Sequence, residues 1–269
     1  MKRAVVEWLL VAVIILGGGA DVALGDLRIP DGQEPAVVFA GHDSALEIRV
    51  MNDAAEASSS PVDYRVFQVA NRVLAPVGER KPWKNVSLLS AQTGIERLQI
   101  HLPELRAVSL FRVVFYVGEK ELGRCAVVGV PLRLLADFDS PVAVSADDGF
   151  TAALKELGMK TRTLAEVDES TIVLLQAGSD ETAGEARRQA KDFAAKGVST
   201  ILLMPAREFA RAEGGVLQSL TGVIRVGQGR LLIAEQLDFS NLVSSAEAQL
   251  RLHQLLSLAR GAEAFPWLE

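Results

Sequence analysis

Cysteine and histidine are scarce in this sequence, which has one cysteine and three histidines among its 269 residues. The single thiol of Cys125 cannot form an internal disulfide, which excludes a disulfide-stapled scaffold. A zinc site needs several protein ligands, and His42, His101 and His253 are far apart in the chain. The sequence therefore predicts no metal site and no cofactor. Because Cys125 stands in an apolar run typical of a strand, we expect it to be a buried core residue.

Positive charge is neither in excess nor concentrated. The chain carries 28 Lys and Arg against 34 Asp and Glu, and its formal net charge is -6. The basic residues are dispersed, with no stretch that could follow a phosphate backbone, which excludes a general nucleic-acid binder. Hydrophobic residues make up 49% of the chain, which is enough to build full cores.

The sequence also lacks a long hydrophobic run. Its most apolar stretch, residues 8–16, is shorter than the about 20 residues that a transmembrane helix needs. This stretch follows the basic pair Lys2 and Arg3 and precedes the small residues Ala23 and Gly25, which is the pattern of a signal peptide with its cleavage site. We therefore predict a signal peptide over residues 1–25, cleavage near Gly25, and export as a periplasmic or secreted protein. An uncleaved N-terminal anchor is the alternative, and the sequence indicates no other membrane span.

Short β-like runs separated by turn residues fill residues 26–131. Residues 45–50 alternate apolar and polar side chains, as a strand with one solvated face does. Residues 111–117 are more continuously apolar, which is typical of a central strand. The spacing predicts an immunoglobulin-like antiparallel β-sandwich as the first domain. The predicted strands are residues 36–39, 45–50, 64–69, 96–102, 110–117 and 124–130.

An aromatic residue among basic ones marks residues 76–87, which the pattern predicts to be a loop. Trp83 is accompanied there by Arg80, Lys81 and Lys84. An exposed aromatic face with polar neighbours is typical of a carbohydrate-binding site, so Trp83 is a candidate ligand-binding residue. The alternative is that Trp83 packs down at the edge of the sandwich.

Residues 139–262 predict a doubly wound α/β domain. Residues 171–176 and 199–204 are apolar runs without alternation, which is typical of parallel strands covered on both faces. Residues 181–196 between them have helix-forming composition and end at Gly197, a C-terminal stop. A proline-bounded junction at residues 131–141 separates the two predicted domains. Further strands are predicted at 142–145, 160–164, 222–226 and 230–236, and further helical segments from 147 or 148 to 157, at 207–212 and at 244–260.

Four features of this half are shared with a known family. They are a strand–Asp–helix–Gly order at its start, the strand STIVLLQ before a capped helix, Lys196-Gly197 before another apolar strand, and residues 226–233 before Gln236-Leu237-Asp238 and a closing helix. With these features the half resembles the class I glutamine-amidotransferase-like domain, which implies a flavodoxin-like fold. Catalytic members of that family use a Cys nucleophile with a His and a Glu, on the turn where this chain has Pro205, Ala206 and Arg207. The resemblance therefore implies a domain without the catalytic residues, as occurs beside β-sandwich modules in exported bacterial proteins.

The topology of the α/β half gives its candidate ligand-binding residues. Ligands of open α/β sheets bind beyond the carboxyl ends of the parallel strands. The alternative interpretation of polar residues there is that they cap helices or belong to loops. Gly227-Gln228-Gly229 lacks the third glycine of a nucleotide-binding loop and is predicted to be a turn. The candidates are Ser145, Asp147, Asp148, Gln176, Ser179, Asp180 and Arg207, followed by Gln236 and Asp238.

Two functions are compatible with these patterns. The first is an exported, non-catalytic binding or assembly protein, of which a role accessory to polysaccharide processing is one form. Its partner would be a carbohydrate or another exported protein, and no catalytic residue is predicted. The alternative is a hydrolase of glycans or esters that uses carboxylates such as Asp147 and Asp148, which requires two carboxyl groups about 5–9.5 Å apart.

Overall fold

The computed structural model describes residues 27–70, 73–145, 148–177, 180–205, 221–235 and 241–261. These residues form a mixed α/β protein in which strands predominate, arranged in several sheets, with three α-helices. The predicted mixture of helices and strands is thus confirmed. The predicted signal peptide and the predicted helical segment at 207–212 lie outside the described residues.

The elements occur in the order that follows. The strands are β1 (Leu27–Arg28), β2 (Ala36–Phe39), β3 (Asp43–Asn52), β4 (Ser58–Ala70), β5 (Val73–Pro76), β6 (Lys81–Leu88), β7 (Thr93–His101), β8 (Ser109–Val117), β9 (Lys120–Val130), β10 (Val142–Val144), β11 (Thr161–Arg162), β12 (Ile172–Gln176), β13 (Ser199–Met204), β14 (Thr221–Val226) and β15 (Gly229–Glu235). The helices are α1 (Asp148–Glu156), α2 (Asp180–Ala195) and α3 (Ala246–Arg260).

Packing divides the chain into two compact units. Unit 1 is drawn from Met1–Pro35, Ala45–Leu98 and Phe111–Ala126. Unit 2 is drawn from Ala36–Ser44, Gln99–Leu110 and Val127–Glu269. The predicted division into domains at residues 131 and 139 stays a prediction.

The first half of the chain forms two sheets. One has the order β1-β3-β7, and the other has the order β2-β9-β8-β4-β5 with β6 also paired to β4. In β3 the buried residues Leu46, Ile48 and Val50 alternate with the exposed residues Glu47 and Arg49. The predicted alternation is confirmed, and it gives this strand one apolar and one solvated face.

Most of residues 76–87 belongs to strand β6, so the prediction of a loop was wrong. Lys81 pairs with Tyr64 and Pro82 with Asp63 in an antiparallel ladder with β4. Charged residues and proline lower intrinsic β propensity, which hid the strand in the sequence. Among the described residues β6 pairs with β4 alone, and proline is tolerated in a strand that pairs along one side.

A six-stranded sheet with the order β11-β10-β12-β13-β15-β14 is the centre of unit 2. The first five strands of this order are parallel, and β14 runs antiparallel to β15 at one end. The predicted strand at 160–164 is shortened to β11, whereas the other predicted strands of this half keep their places. The parallel arrangement predicted from the unalternated apolar runs is confirmed.

Alternate residues of each central strand contribute to two different cores. In β12, Ile172 and Leu174 belong to one core, and Val173 and Leu175 belong to the other. Burying each such side chain contributes about 1.5–3 kcal/mol to the stability of the fold. This contribution is gained on both faces only because helices cover both faces of the sheet. Helices α1 and α3 cover the first face, and α2 covers the second with the small side chains Ala183, Ala190 and Ala194.

Helix α3 is buried on two stripes. Leu252, Leu255, Leu256 and Ala259, the predicted apolar stripe, pack in the first core of the sheet. Ala246 and Leu250 form a separate cluster with Val128, Val130 and Leu134, against which Val37, Phe39, Val108 and Leu110 also pack. The helix therefore joins the α/β sheet to the ends of β2 and β9 within unit 2.

Both ends of α3 are capped in the expected manner. The Ser245 hydroxyl accepts a hydrogen bond from the Ala248 N–H at 3.2 Å. Gly261 adopts a φ of 90°, and its N–H donates to the Leu258 carbonyl. A left-handed residue at this position ends a helix at little conformational cost when it is glycine.

The Gly227-Gln228-Gly229 segment links β14 to β15, which confirms the predicted turn. It lies at the amino end of β15, whereas ligands of such sheets bind at the carboxyl ends. A Cβ atom at position 229 would lie 2.2 Å from the carbonyl oxygen of Ala194 in α2. Glycine is therefore required there by close packing against the end of α2.

A pair of glycine substitutions tests this close approach. We expect Gly229→Ala to lower the free energy of unfolding by about 1–3 kcal/mol, because the added methyl group overpacks the contact with α2. Gly184→Ala is the matched control, since a Cβ there meets open space in the exposed middle of α2. It should raise stability by about 0.5–1 kcal/mol through helix propensity. Chemical denaturation followed by circular dichroism measures both, and equal effects would contradict the packing.

His253 on α3 predicts a dependence of stability on pH. Its ring meets Phe138 edge-on at 5.9 Å between centroids, and burial lowers its pKa in the folded state. As the pH falls through about 6.5, the unfolded chain therefore binds the proton first and the free energy of unfolding decreases. Denaturation at pH 7.5 and pH 5 should show a smaller decrease for His253→Gln than for the unaltered protein. His42→Gln, at an exposed position, is the control and should keep the full decrease, and a decrease that His253→Gln does not reduce would overturn the assignment.

Candidate functional site

Ser145 and Gln176 are brought together at the carboxyl edge of the parallel sheet. Ser145 follows β10, and Gln176 is the last residue of the neighbouring strand β12. The Ser145 N–H donates to the Leu174 carbonyl at 3.1 Å, which extends the ladder by one residue. The Ser145 hydroxyl in turn accepts from the Gln176 N–H at 3.4 Å, a long contact. Two predicted candidates thus lie side by side where β10 and β12 end.

The connections on either side of this point leave to opposite faces. The chain leaves β10 through α1 and returns to β11 on one side, and it leaves β12 through α2 and returns to β13 on the other. Helix α1 packs on the first face of the sheet and α2 on the second. An open α/β sheet has its ligand crevice at such a point, where the strand order reverses.

The other candidates of the α/β half are placed less fully. Asp148 is the first residue of α1 and Asp180 the first residue of α2, so both residues stand at the same edge of the sheet as Ser145 and Gln176. Acidic residues are common at the first position of a helix, because the helix dipole favours negative charge near the N-terminus. The remaining candidates lie outside the described residues: Asp147, Ser179, Arg207, Gln236 and Asp238.

Trp83 is half-buried in unit 1. Its indole N–H donates to the Arg97 carbonyl at 3.1 Å, and its ring lies 5.3 Å from that of the fully buried Phe115. The register of β4 with β6 shifts between Val62 and Asp63, and Trp83 is the extra residue of the bulge. A bulge redirects one side chain out of the alternation of its strand, which explains how Trp83 reaches Phe115.

Two of the three basic residues beside Trp83, Arg80 and Lys84, form ion pairs. Arg80 lies 3.1 Å from the Asp63 carboxylate, and its guanidinium stands over the Tyr116 ring at 4.5 Å. Lys84 forms an ion pair with Glu96. These contacts hold Arg80 and Lys84 against neighbouring residues of unit 1, and whether Trp83 binds a ligand stays a prediction.

A polar network at the opposite edge of the sheet has no counterpart in the sequence prediction. Asp168, in the connection before β12, accepts hydrogen bonds from Ser170, Arg162 and the buried Thr171. These hydrogen bonds, of which the one from Ser170 has the largest effect, hold the pKa of Asp168 far below its ordinary value. The Asp-x-Ser spacing is the local signal that could have shown it, because Asp commonly bonds to groups two residues on. The network fixes the turn between β11 and β12 and lies away from the candidate crevice.

Cys125 is buried in β9, as predicted. Burial raises the pKa of its thiol to about 12, so the thiol stays protonated at neutral pH. A nucleophilic cysteine requires the thiolate, so Cys125 is a core residue.

Neither a membrane-spanning helix nor a metal-binding cluster is found in the described ranges. None of their helices is both long and apolar enough to cross a membrane. No cluster of three or more His, Cys, Asp or Glu residues within those ranges could hold a metal ion.

Trp83 substitutions test its packing role. Trp83→Phe keeps a ring against Phe115 and removes the hydrogen bond to Arg97, which should cost about 0.5–1.5 kcal/mol of unfolding free energy. Trp83→Ala removes the ring as well, and the loss should approach the lower end of about 3–5 kcal/mol because Trp83 is half-buried. Urea denaturation measures both values. A Trp83→Ala protein as stable as the unaltered one would contradict a packing role and favour a ligand-binding one.

No protein-family model matches the sequence, and no curated protein sequence matches it. Solved structures resemble parts of the fold. The alkylpurine DNA glycosylase AlkC of Pseudomonas fluorescens, bound to DNA with an abasic site analog, matches with a TM-score of 0.31 and 20% identity over 44% of this chain and 33% of its own. A β-glucosidase of Listeria innocua in complex with laminaribiose matches with a TM-score of 0.29 and 15% identity over 39% and 16%. The sporulation control protein Spo0M of Bacillus subtilis matches with a TM-score of 0.29 and 9% identity over 49% and 55%.

This chain therefore spans about half or less of the length of these three proteins. TM-scores near 0.3 are too low for the function of any of them to be assigned to this chain.

Proposed function

We propose that this chain is an exported, non-catalytic binding or assembly protein whose ligand lies in the crevice between the carboxyl ends of β10 and β12. The observation that carries the proposal is the contact between Ser145 and Gln176 at the point where α1 and α2 leave to opposite faces. Crevices at that point are where open α/β sheets bind their ligands.

A flavodoxin-like fold for the α/β part is the finer form of this proposal. The order β11-β10-β12-β13-β15 supports it, because numbering these five strands by their place in the chain gives 2-1-3-4-5 when the antiparallel β14 is set aside. An immunoglobulin-like sandwich for the first half is supported by the antiparallel pairs β1–β3, β4–β5 and β4–β6 and by the alternation in β3, whereas β2 pairs with β9 in parallel.

The proposal includes a glutamine-amidotransferase-like α/β domain that lacks the catalytic residues. Strand β13 ends at Met204 and is followed by Pro205, where the family resemblance would require the nucleophilic cysteine. The cysteine of this chain is buried in β9 as a neutral thiol. These two facts support a domain that performs no acyl transfer through a cysteine nucleophile.

A carbohydrate is the ligand class that we favour, which would make the protein accessory to polysaccharide processing. A serine hydroxyl and a glutamine amide each offer both a donor and an acceptor, which suits the hydroxyl groups of a sugar. Another exported protein is the second partner class. The alternative is a hydrolase that uses carboxylates such as Asp147 and Asp148, of which Asp148 begins α1 at the same edge as the crevice.

Ligand binding is tested by thermal shift and calorimetry of the purified protein with a panel of oligosaccharides. A ligand at 100 times its Kd contributes about 2.7 kcal/mol to stability, which raises Tm by several degrees. We expect Ser145→Ala and Gln176→Ala each to weaken binding about tenfold, the effect of about 1.4 kcal/mol for a lost hydrogen bond.

Ser199→Ala and Gln228→Ala are the matched controls, since both residues lie at the amino edge of the same sheet. Equal losses in the controls would overturn the crevice as the site. Absence of any shift would favour the exported-protein partner, and release of free sugar or ester product would favour the hydrolase.

Export is tested at the predicted cleavage site. We expect the exported protein to begin at Asp26, and Gly25→Phe to block processing because the residue before the cut must be small. Leu24→Phe, one position earlier, should be processed normally. Intact mass of the exported protein distinguishes these outcomes, and processing of Gly25→Phe would contradict the site. Leu27 is already buried and pairs with Asn52, so the predicted cut leaves one residue before the first strand.

A further inference from the structure

We draw no further inference here: the strongest candidate, the outer edge of strand β5 with its exposed Val73 and Leu74 side chains, carries nothing because no feature of the described residues shows what covers it.

Discussion

Burial of strands β12 and β13 on both faces is the requirement on which unit 2 depends. The four residues Ile172, Val173, Leu174 and Leu175 are each at most 1% exposed. The hydrophobic contribution of such side chains is realised only when both faces of the sheet are removed from water. Parallel strands also need a crossover between them, so α1 and α2, which connect strands, each cover one face, and α3 completes the cover of the first. In this half of the chain, the helices that connect the strands therefore also help to remove the sheet faces from water.

The position of the candidate crevice follows from that requirement. Since α1 and α2 cover different faces, these two helices leave the carboxyl ends of β10 and β12 on opposite sides of the sheet. The backbone ladder then places Ser145 beside Gln176 whatever side chains stand there. Packing thus determines where a ligand could bind, whereas the side chains at the edge determine which ligand. The proposed preference for a sugar depends on those side chains alone.

The α/β half was the more predictable part of the fold. Unalternated apolar runs identified β12 and β13, and Gly197 marked the end of α2, because both signals are local in the chain. The predicted parallel topology also placed Ser145 and Gln176 together at the carboxyl edge of the sheet, where the structure has them. Local signals failed at β6, because Pro82 and its basic neighbours are typical of a loop. The segment is a strand because it pairs with β4. The Trp83 contact with Arg97 was not predictable, because it depends on which segments meet in space. The Asp168 network did have a local signal, the Asp-x-Ser spacing, which the sequence prediction missed.

The two-sided burial of α3 has a consequence for the order in which the chain folds. One stripe of α3 packs with Val37 and Phe39 of β2, which precede most of unit 1 in sequence, and the other packs on the α/β sheet. Closing a contact over so long a stretch costs less entropy when the intervening chain is already compact. We therefore expect the packing of α3 against β2 to form late in folding, once the sequence between them has become compact.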